Sequence, residues 1–116
     1  MVKSIAREAL KAELDAGAPV TLVEALPEKY WLHAHLPGAL RLNHDEVEAR
    51  AAEVLPDREA RLVVYCAGVT CENSHKAAAA LEALGYRDVS VYAEGKQDWI
   101  DAGLPVEGEA RFAAAG

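Results

Sequence analysis

The 116-residue sequence lacks the marks of membrane, secreted and nucleic-acid-binding proteins. No apolar run approaches the length of a membrane span, and the amino-terminal segment has no apolar core of the kind found in secretory signals. Lys and Arg number 12 against 19 Asp and Glu, and the net charge of -7 argues against nucleic acid or an anionic membrane surface as the main partner. No glycine-rich phosphate loop or dinucleotide fingerprint is present. We therefore expect a cytoplasmic protein with neither a nucleic-acid nor a membrane partner.

Cysteine is also scarce, since the chain contains only Cys66 and Cys71. Without an export signal, two cysteines are expected to be free thiols in a reducing compartment rather than a structural bridge. The length is sufficient for one buried core but not comfortably for two. We therefore expect a single domain over residues 1–116.

Apolar patterns along the chain predict an α/β fold. Short runs with branched apolar residues are typical of buried strands, and they alternate with helical patterns, which favours a parallel sheet with helices on both faces. The predicted strands are residues 20–23, 39–42, 62–65 and 89–92. The predicted helices are residues 5–14, 27–32, 46–54, 74–84, 95–101 and an alanine-rich last segment, 109–116.

The stretch 62–81 contains the candidate active site. A buried strand ends at Cys66, a short loop follows, and an alanine-rich helix begins near Ser74. A thiol in this position faces the amino terminus of the next helix, where backbone N–H groups and the helix dipole favour a thiolate and an anionic substrate. Cys66 is therefore the candidate nucleophile, and a small buried residue at a strand end is the alternative interpretation. The loop residues expected to surround it and to bind substrate are Ala67, Gly68, Val69, Thr70, Cys71 and Glu72.

Several short motifs occur in an order and spacing that resembles a single rhodanese (sulfurtransferase) domain over nearly the whole chain. The motifs are residues 35–39 (HLPGA), 63–66 (VVYC), 77–86 (AAAALEALGY), 89–92 (VSVY) and 95–106 (GKQDWIDAGLPV). The resemblance implies a three-layer rhodanese-like fold with roughly five parallel strands and helices on both faces. It also implies that Cys66 takes a sulfane sulfur, as a persulfide, from a small sulfur-containing anion such as thiosulfate or from a persulfide donor. The sulfur then passes to cyanide, a thiol or a sulfur-acceptor protein, with no cofactor.

Three positions depart from the family pattern. The active-site loop is one residue longer than the common loop and reaches Glu72 rather than an arginine, which leaves the substrate open. The usual aspartate of an early strand is Glu24, and its usual basic neighbour is replaced by apolar residues. The usual glycine pair before the last tryptophan is Glu94-Gly95.

Polar residues near the loop are candidates for accessory roles. Thr70, Asn73 and Ser74 are available to cap the helix, and their side chains could also touch a sulfur oxyanion. His75 lies in the first helical turn, where it either adds positive charge beside the loop or is simply solvated. Glu72 would repel phosphate or arsenate, and the loop contains no arginine that could bind such a dianion with two hydrogen bonds. Both features argue against phosphatases and arsenate reductases, which have loops of similar length.

Three functional hypotheses follow. The first is an enzyme, a thiosulfate sulfurtransferase-like transferase that works by double displacement through a Cys66 persulfide. The second is a non-enzymatic rhodanese-like module that binds a partner protein or carries its sulfur. The third is a thiol redox relay, in which Cys71 resolves the persulfide or passes on its sulfur; otherwise Cys71 has no chemical role. A zinc site formed by Cys66, Cys71 and His75 is disfavoured, because structural zinc sites use four ligands in closely spaced pairs and no second pair exists.

Overall fold

Five parallel strands form one sheet within residues 2–109, the part of the chain that the computed structural model describes. They lie side by side in the order β1-β5-β4-β2-β3 and are β1 (Lys3–Ser4), β2 (Val20–Glu24), β3 (Leu40–Arg41), β4 (Arg61–Tyr65) and β5 (Asp88–Tyr92). The helices are α1 (Arg7–Asp15), α2 (Glu28–His33), α3 (Val47–Val54), α4 (Asn73–Ala83) and α5 (Gly95–Asp101), with a 3-10 turn at His44–Glu46 directly before α3. The predicted α/β fold with a parallel sheet is confirmed.

Successive residues of the central strand pack into two separate cores. In β4, Leu62 and Val64 belong to an apolar cluster with α3 and α4, whereas Val63 and Tyr65 belong to a second cluster with α1 and α5. Side chains of a strand point alternately to opposite faces, so a strand that is apolar at consecutive positions must be covered on both sides. The sheet is therefore the middle of three layers.

The register of the sheet brings three strand ends to one edge. Glu24 of β2 lies opposite Tyr65 of β4, and Tyr65 lies opposite Tyr92 of β5. In open parallel sheets, ligands usually bind beyond the carboxyl ends of the strands. A functional site is therefore expected among the loops that follow these three residues.

The structure differs from the sequence prediction mainly at the ends of the chain. The sequence does not predict the two-residue strand β1, which pairs with β5, because both of its residues are exposed and carry no apolar pattern. The alanine-rich helix predicted for 109–116 lies, apart from Glu109, outside the described residues. Between residues 2 and 109, no helix is both long enough and apolar enough to cross a membrane.

Candidate active site

Cys66 directly follows β4, at the edge where three parallel strands end. The residue is only 1% exposed. The strand end is fixed beside β2, because the Tyr65 carbonyl accepts the N–H of Ala25 at 2.8 Å. The sequence predicts a buried strand that ends on Cys66; in the structure the strand ends one residue earlier, at Tyr65, and Cys66 is buried directly after it.

The loop after Cys66 turns back on itself and brings Cys71 to it. The Cys71 N–H donates to the Gly68 carbonyl at 3.0 Å, which closes a tight turn. The Cα atoms of the two cysteines lie 6.4 Å apart, and their sulfur atoms are joined in a disulfide. Cys71 is partly exposed, in contrast to Cys66. The expectation of two free thiols is therefore wrong for this structure, because the spacing of the cysteines alone does not show that the turn closes between them.

Ser74 faces the sulfur of Cys66 rather than capping its helix. Its hydroxyl oxygen lies 3.3 Å from Cys66 Sγ, and the residue is 1% exposed. Helix α4 has Glu72 at the capping position and no side-chain capping hydrogen bond. The prediction that Thr70, Asn73 or Ser74 caps this helix is wrong, because the last two already lie inside its first turn. A hydroxyl in this place can donate to a Cys66 thiolate and stabilise it.

The amino terminus of α5 holds the start of the loop. The backbone N–H groups of Lys96 and Gln97 donate to the carbonyls of Cys66 and Ala67, each at 2.9 Å. These hydrogen bonds fix the backbone of Cys66 and therefore the position of its sulfur atom. The position of the Cys66 sulfur therefore depends on α5, and Lys96 of that helix lies 30 residues after Cys66 in the sequence.

Gly95 permits the close approach of α5 to the loop. Its φ is +72°, and a Cβ atom at this position would lie 2.7 Å from the Cys66 carbonyl oxygen and 2.9 Å from the Gly68 nitrogen. No side chain can occupy that space without displacing backbone atoms. Of the glycine pair in the family pattern, the chain keeps the member that this packing requires, and Glu94 stands exposed in place of the other.

A buried ion pair fixes α5 to the sheet. Glu24 is fully buried, and its carboxylate accepts from Lys96 Nζ at 3.1 Å and from the Tyr65 hydroxyl at 2.9 Å. Lys96 Nζ also donates to the carbonyls of Tyr30 and Ala34, at 3.1 and 2.6 Å. Burial raises the pKa of Glu24, and the charge of Lys96 together with the Tyr65 hydrogen bond opposes that rise. All three donors of the ammonium group are thus satisfied.

Sequence reasoning missed Lys96. It identified Glu24 as an acidic residue without its usual basic neighbour, and the positive charge comes instead from a residue 72 positions further on. A lysine in a short helix carries no local sign of burial. The available signal was Glu24 itself, since a carboxylate at the end of an apolar strand requires a partner.

A cavity of about 500 Å³ opens beside the loop and is acidic in character. Its lining residues are Ala67, Gly68, Val69, Thr70, Glu94, Gln97, Asp98 and Asp101. Asp98 is paired with Arg7 at 2.7 Å and accepts from the Tyr92 hydroxyl at 2.5 Å, whereas Glu94 and Asp101 are exposed. Among residues 2–109, no lining side chain is basic. An anion in this cavity would therefore meet unbalanced carboxylates without a cationic side chain.

The structure brings together part of the predicted site. Residues 67–70 line the cavity, and their role in binding a substrate stays a prediction. The members of the predicted set outside the lining are Cys71, Glu72, Asn73, Ser74 and His75. Of these, Cys71 and Ser74 approach the Cys66 sulfur, and the side chains of Glu72 and His75 are exposed. No three His, Cys, Asp or Glu side chains in the described part of the chain are grouped as metal ligands.

Replacing Lys96 by Met should leave Glu24 buried without a counter-charge. We expect Lys96→Met to lower the free energy of unfolding by about 3 kcal/mol at neutral pH. The folded-state pKa of Glu24 is raised above the unfolded value, so the penalty is present above the unfolded pKa and falls as acid protonates the folded carboxyl. Urea unfolding at neutral and at mildly acidic pH measures both effects. The double variant Glu24→Gln with Lys96→Met should recover most of the lost free energy of unfolding. If it recovered none, the ion pair between Glu24 and Lys96 would not explain the loss.

Replacing Gly95 by Ala should displace the active-site loop. Gly103 is the matched control, because its φ of +76° imposes the same backbone strain and a Cβ there would meet no atom within 4 Å. We expect both variants to lose about 1 kcal/mol of stability from the strain, and Gly95→Ala to lose roughly 1–2 kcal/mol more from the contact with the loop. Urea unfolding, together with the rate at which a thiol reagent labels reduced Cys66, compares the two. If Gly95→Ala and Gly103→Ala lost the same stability and labelled at the same rate, the contact between residue 95 and the loop would not affect the position of the loop.

Comparison with known sequences identifies the family of this chain. A family model described as rhodanese-like domain matches residues 6–102. The HTH-type transcriptional regulator Rv0324 of Mycobacterium tuberculosis (strain ATCC 25618 / H37Rv) is 35% identical over 104 residues, which make up 90% of this chain and 44% of the regulator. The chain thus spans less than half the length of this relative.

Solved structures that resemble this one include the following two. BH2092 protein from Bacillus halodurans has a TM-score of 0.83 at 22% identity, with 94% of this chain and 80% of that chain covered, and shows the same fold. Thiosulfate sulfurtransferase from Pseudomonas aeruginosa has a TM-score of 0.74 at 26% identity, with 93% of this chain and 20% of that chain covered. Because the family match extends over most of the sheet and includes Cys66 with its loop, the chain belongs to the rhodanese-like domain family.

Proposed function

We propose that this chain is a sulfurtransferase that moves a sulfane sulfur through a persulfide on Cys66. The observation that supports this most is the placement of Cys66 at the carboxyl end of the central strand, with the Ser74 hydroxyl 3.3 Å from its sulfur. The same position falls within the matched rhodanese-like domain. One similar structure bears the name thiosulfate sulfurtransferase, which supports thiosulfate as a donor to test.

The chemistry consists of two displacements at sulfur, after reduction of the Cys66–Cys71 disulfide. The Cys66 thiolate attacks the outer sulfur of the donor; with thiosulfate, the new S–S bond forms as the bond to the sulfonate group breaks, and sulfite leaves with the electron pair. A thiol or cyanide then attacks the outer sulfur of the persulfide, and Cys66 leaves as a thiolate. The Ser74 hydroxyl donates to that thiolate at the start and at the end of the cycle.

The charges around the cavity favour a second candidate, a module that exchanges sulfur with a partner protein. Glu94 and Asp101 are exposed at the cavity and would repel the thiosulfate dianion. A basic protein surface that presents a cysteine persulfide or thiol would instead be attracted. The relative named a transcriptional regulator supports this candidate, since its matched part accounts for 44% of a longer protein.

The first product of reduced protein and thiosulfate should carry the mass of one extra sulfur atom on Cys66, at times before that sulfur reacts further. Cys66→Ser should gain none, because serine cannot form a persulfide. Intact-mass and peptide mass spectrometry measure the gain, and thiocyanate formation from cyanide measures turnover. Sulfur uptake by Cys66→Ser at the wild-type level would contradict the proposal. Rapid uptake from a persulfidated protein, with slow uptake from thiosulfate, would favour the second candidate.

Ser74→Ala should slow sulfur uptake roughly tenfold, because a hydrogen bond to a charged group contributes about 1.5 kcal/mol or more. Ser90→Ala is the matched control: Ser90 is also buried, at 2% exposure, but its hydroxyl accepts from Arg61 at the amino end of the central strand. Initial rates of persulfide formation, measured by mass spectrometry under reducing pre-treatment, compare the variants. Equal slowing in both would indicate a general effect on the fold rather than a contact with Cys66.

A further inference from the structure

We infer that Cys71 is a second catalytic cysteine, which discharges the Cys66 persulfide as hydrogen sulfide. This inference rests on the proposed function, because it begins from the persulfide. The observation that carries it is the disulfide between Cys66 and Cys71, which places the two sulfur atoms in direct contact inside one loop. The chain is then a persulfide-reducing enzyme as well as a sulfur acceptor.

The discharge step needs no external oxidant. The Cys71 thiol, acting as its thiolate, attacks Cys66 Sγ; a bond forms between the two cysteine sulfurs, and the bond from Cys66 Sγ to the sulfane sulfur breaks. The sulfane sulfur leaves with the electron pair as hydrosulfide and takes up the proton that Cys71 released. The sulfane sulfur is reduced to sulfide, the Cys71 sulfur is oxidised, and the product is the disulfide that the structure contains.

The loop holds the attacking sulfur in place before the reaction. The hydrogen bond from the Cys71 N–H to the Gly68 carbonyl, at 3.0 Å, closes the turn that returns Cys71 to Cys66. On the other side of the turn, α5 fixes the Cys66 carbonyl through the N–H of Lys96, at 2.9 Å. A nucleophile held in this way acts at a high effective concentration, so attack by Cys71 has an advantage over attack by a dissolved acceptor.

The charges of the site add to this advantage. An anionic acceptor that comes to the loop from the cavity beside it passes exposed carboxylates at Glu94 and Asp101, and no basic side chain lines that cavity among the described residues. Cys71 is already inside the loop and crosses no such field. The persulfide is therefore expected to react internally before a small anion reaches it.

The unequal exposure of the two cysteines determines which sulfur a reductant attacks when the disulfide is reduced again. Cys66 is buried, whereas Cys71 is partly exposed, so a thiol reductant meets the Cys71 sulfur first. Its thiolate forms a mixed disulfide with Cys71, and Cys66 leaves as a thiolate that the Ser74 hydroxyl can stabilise. A second thiol then releases Cys71 as a thiol and forms the oxidised disulfide of the reductant. Each cycle thus consumes two thiols of the reductant and yields one sulfide.

The test compares wild-type protein with Cys71→Ser and Cys71→Ala, each reduced, freed of reductant and given one equivalent of thiosulfate. A sulfide-selective electrode follows sulfide, and intact-mass spectrometry follows the protein. Wild-type protein should release about one sulfide per chain, at least tenfold faster than either variant, and end as the Cys66–Cys71 disulfide. Both variants should retain the added sulfur on Cys66. Urea unfolding of each variant establishes that it is folded, and the use of two replacements guards against an effect of one side chain.

The outcomes separate this inference from the proposed function. If the variants gain sulfur on Cys66 and the wild-type protein keeps its persulfide equally long, the inference is overturned and the proposed function stands. Transfer of the sulfur to Cys71 without sulfide release also overturns it, since attack would then occur at the outer sulfur. If neither the wild-type protein nor the variants gain sulfur or release sulfide, the proposed function fails and the inference falls with it.

Discussion

The buried pair between Glu24 and Lys96 is the interaction on which the geometry of the active site depends. Glu24 ends β2, while the backbone N–H of Lys96 holds the carbonyl of Cys66. Lys96 therefore joins the sheet edge, the start of α5 and the backbone of Cys66. Both charges lie where water cannot compensate for the loss of either, so the pair also determines which residues these two positions can tolerate.

The two helices beside Cys66 have different tasks. Helix α5 contacts the loop through its backbone, and Gly95 makes that contact possible because it has no Cβ. Helix α4 contributes the Ser74 side chain to the sulfur itself. The turn from Gly68 to Cys71 lies between these two helices and brings the Cys71 sulfur to that of Cys66. The site thus consists of a hydrogen-bonded backbone that positions two sulfur atoms, those of Cys66 and Cys71, and the hydroxyl of Ser74.

Sequence analysis could locate four of the five strands, the helices α1 to α5 and Cys66, because each depends on local patterns. The central strand is apolar at consecutive positions, and a cysteine at its end is visible without knowledge of the fold. Lys96 could not be predicted, since its burial follows from a pairing with Glu24 across 72 positions. The capping role predicted for Ser74 is wrong because capping depends on the residue at which the helix begins, and helix boundaries shift by one or two residues without changing the sequence pattern. The Cys66–Cys71 pairing depends on how a short loop folds, which spacing alone leaves open.

Two helices begin close to Cys66, but only one of them can offer charge stabilisation to a bound group. In α5, the amides of Lys96 and Gln97 are already occupied by carbonyl oxygens of the protein itself. The positive end of that helix dipole is therefore balanced internally, and it supports the backbone instead of a ligand. Stabilisation of negative charge on sulfur falls to the first turn of α4, beside the exposed carboxylate of Glu72. A substitution in the first turn of α4 therefore changes the surroundings of the Cys66 sulfur directly, whereas the hydrogen bonds of Lys96 and Gln97 to the loop backbone do not depend on it.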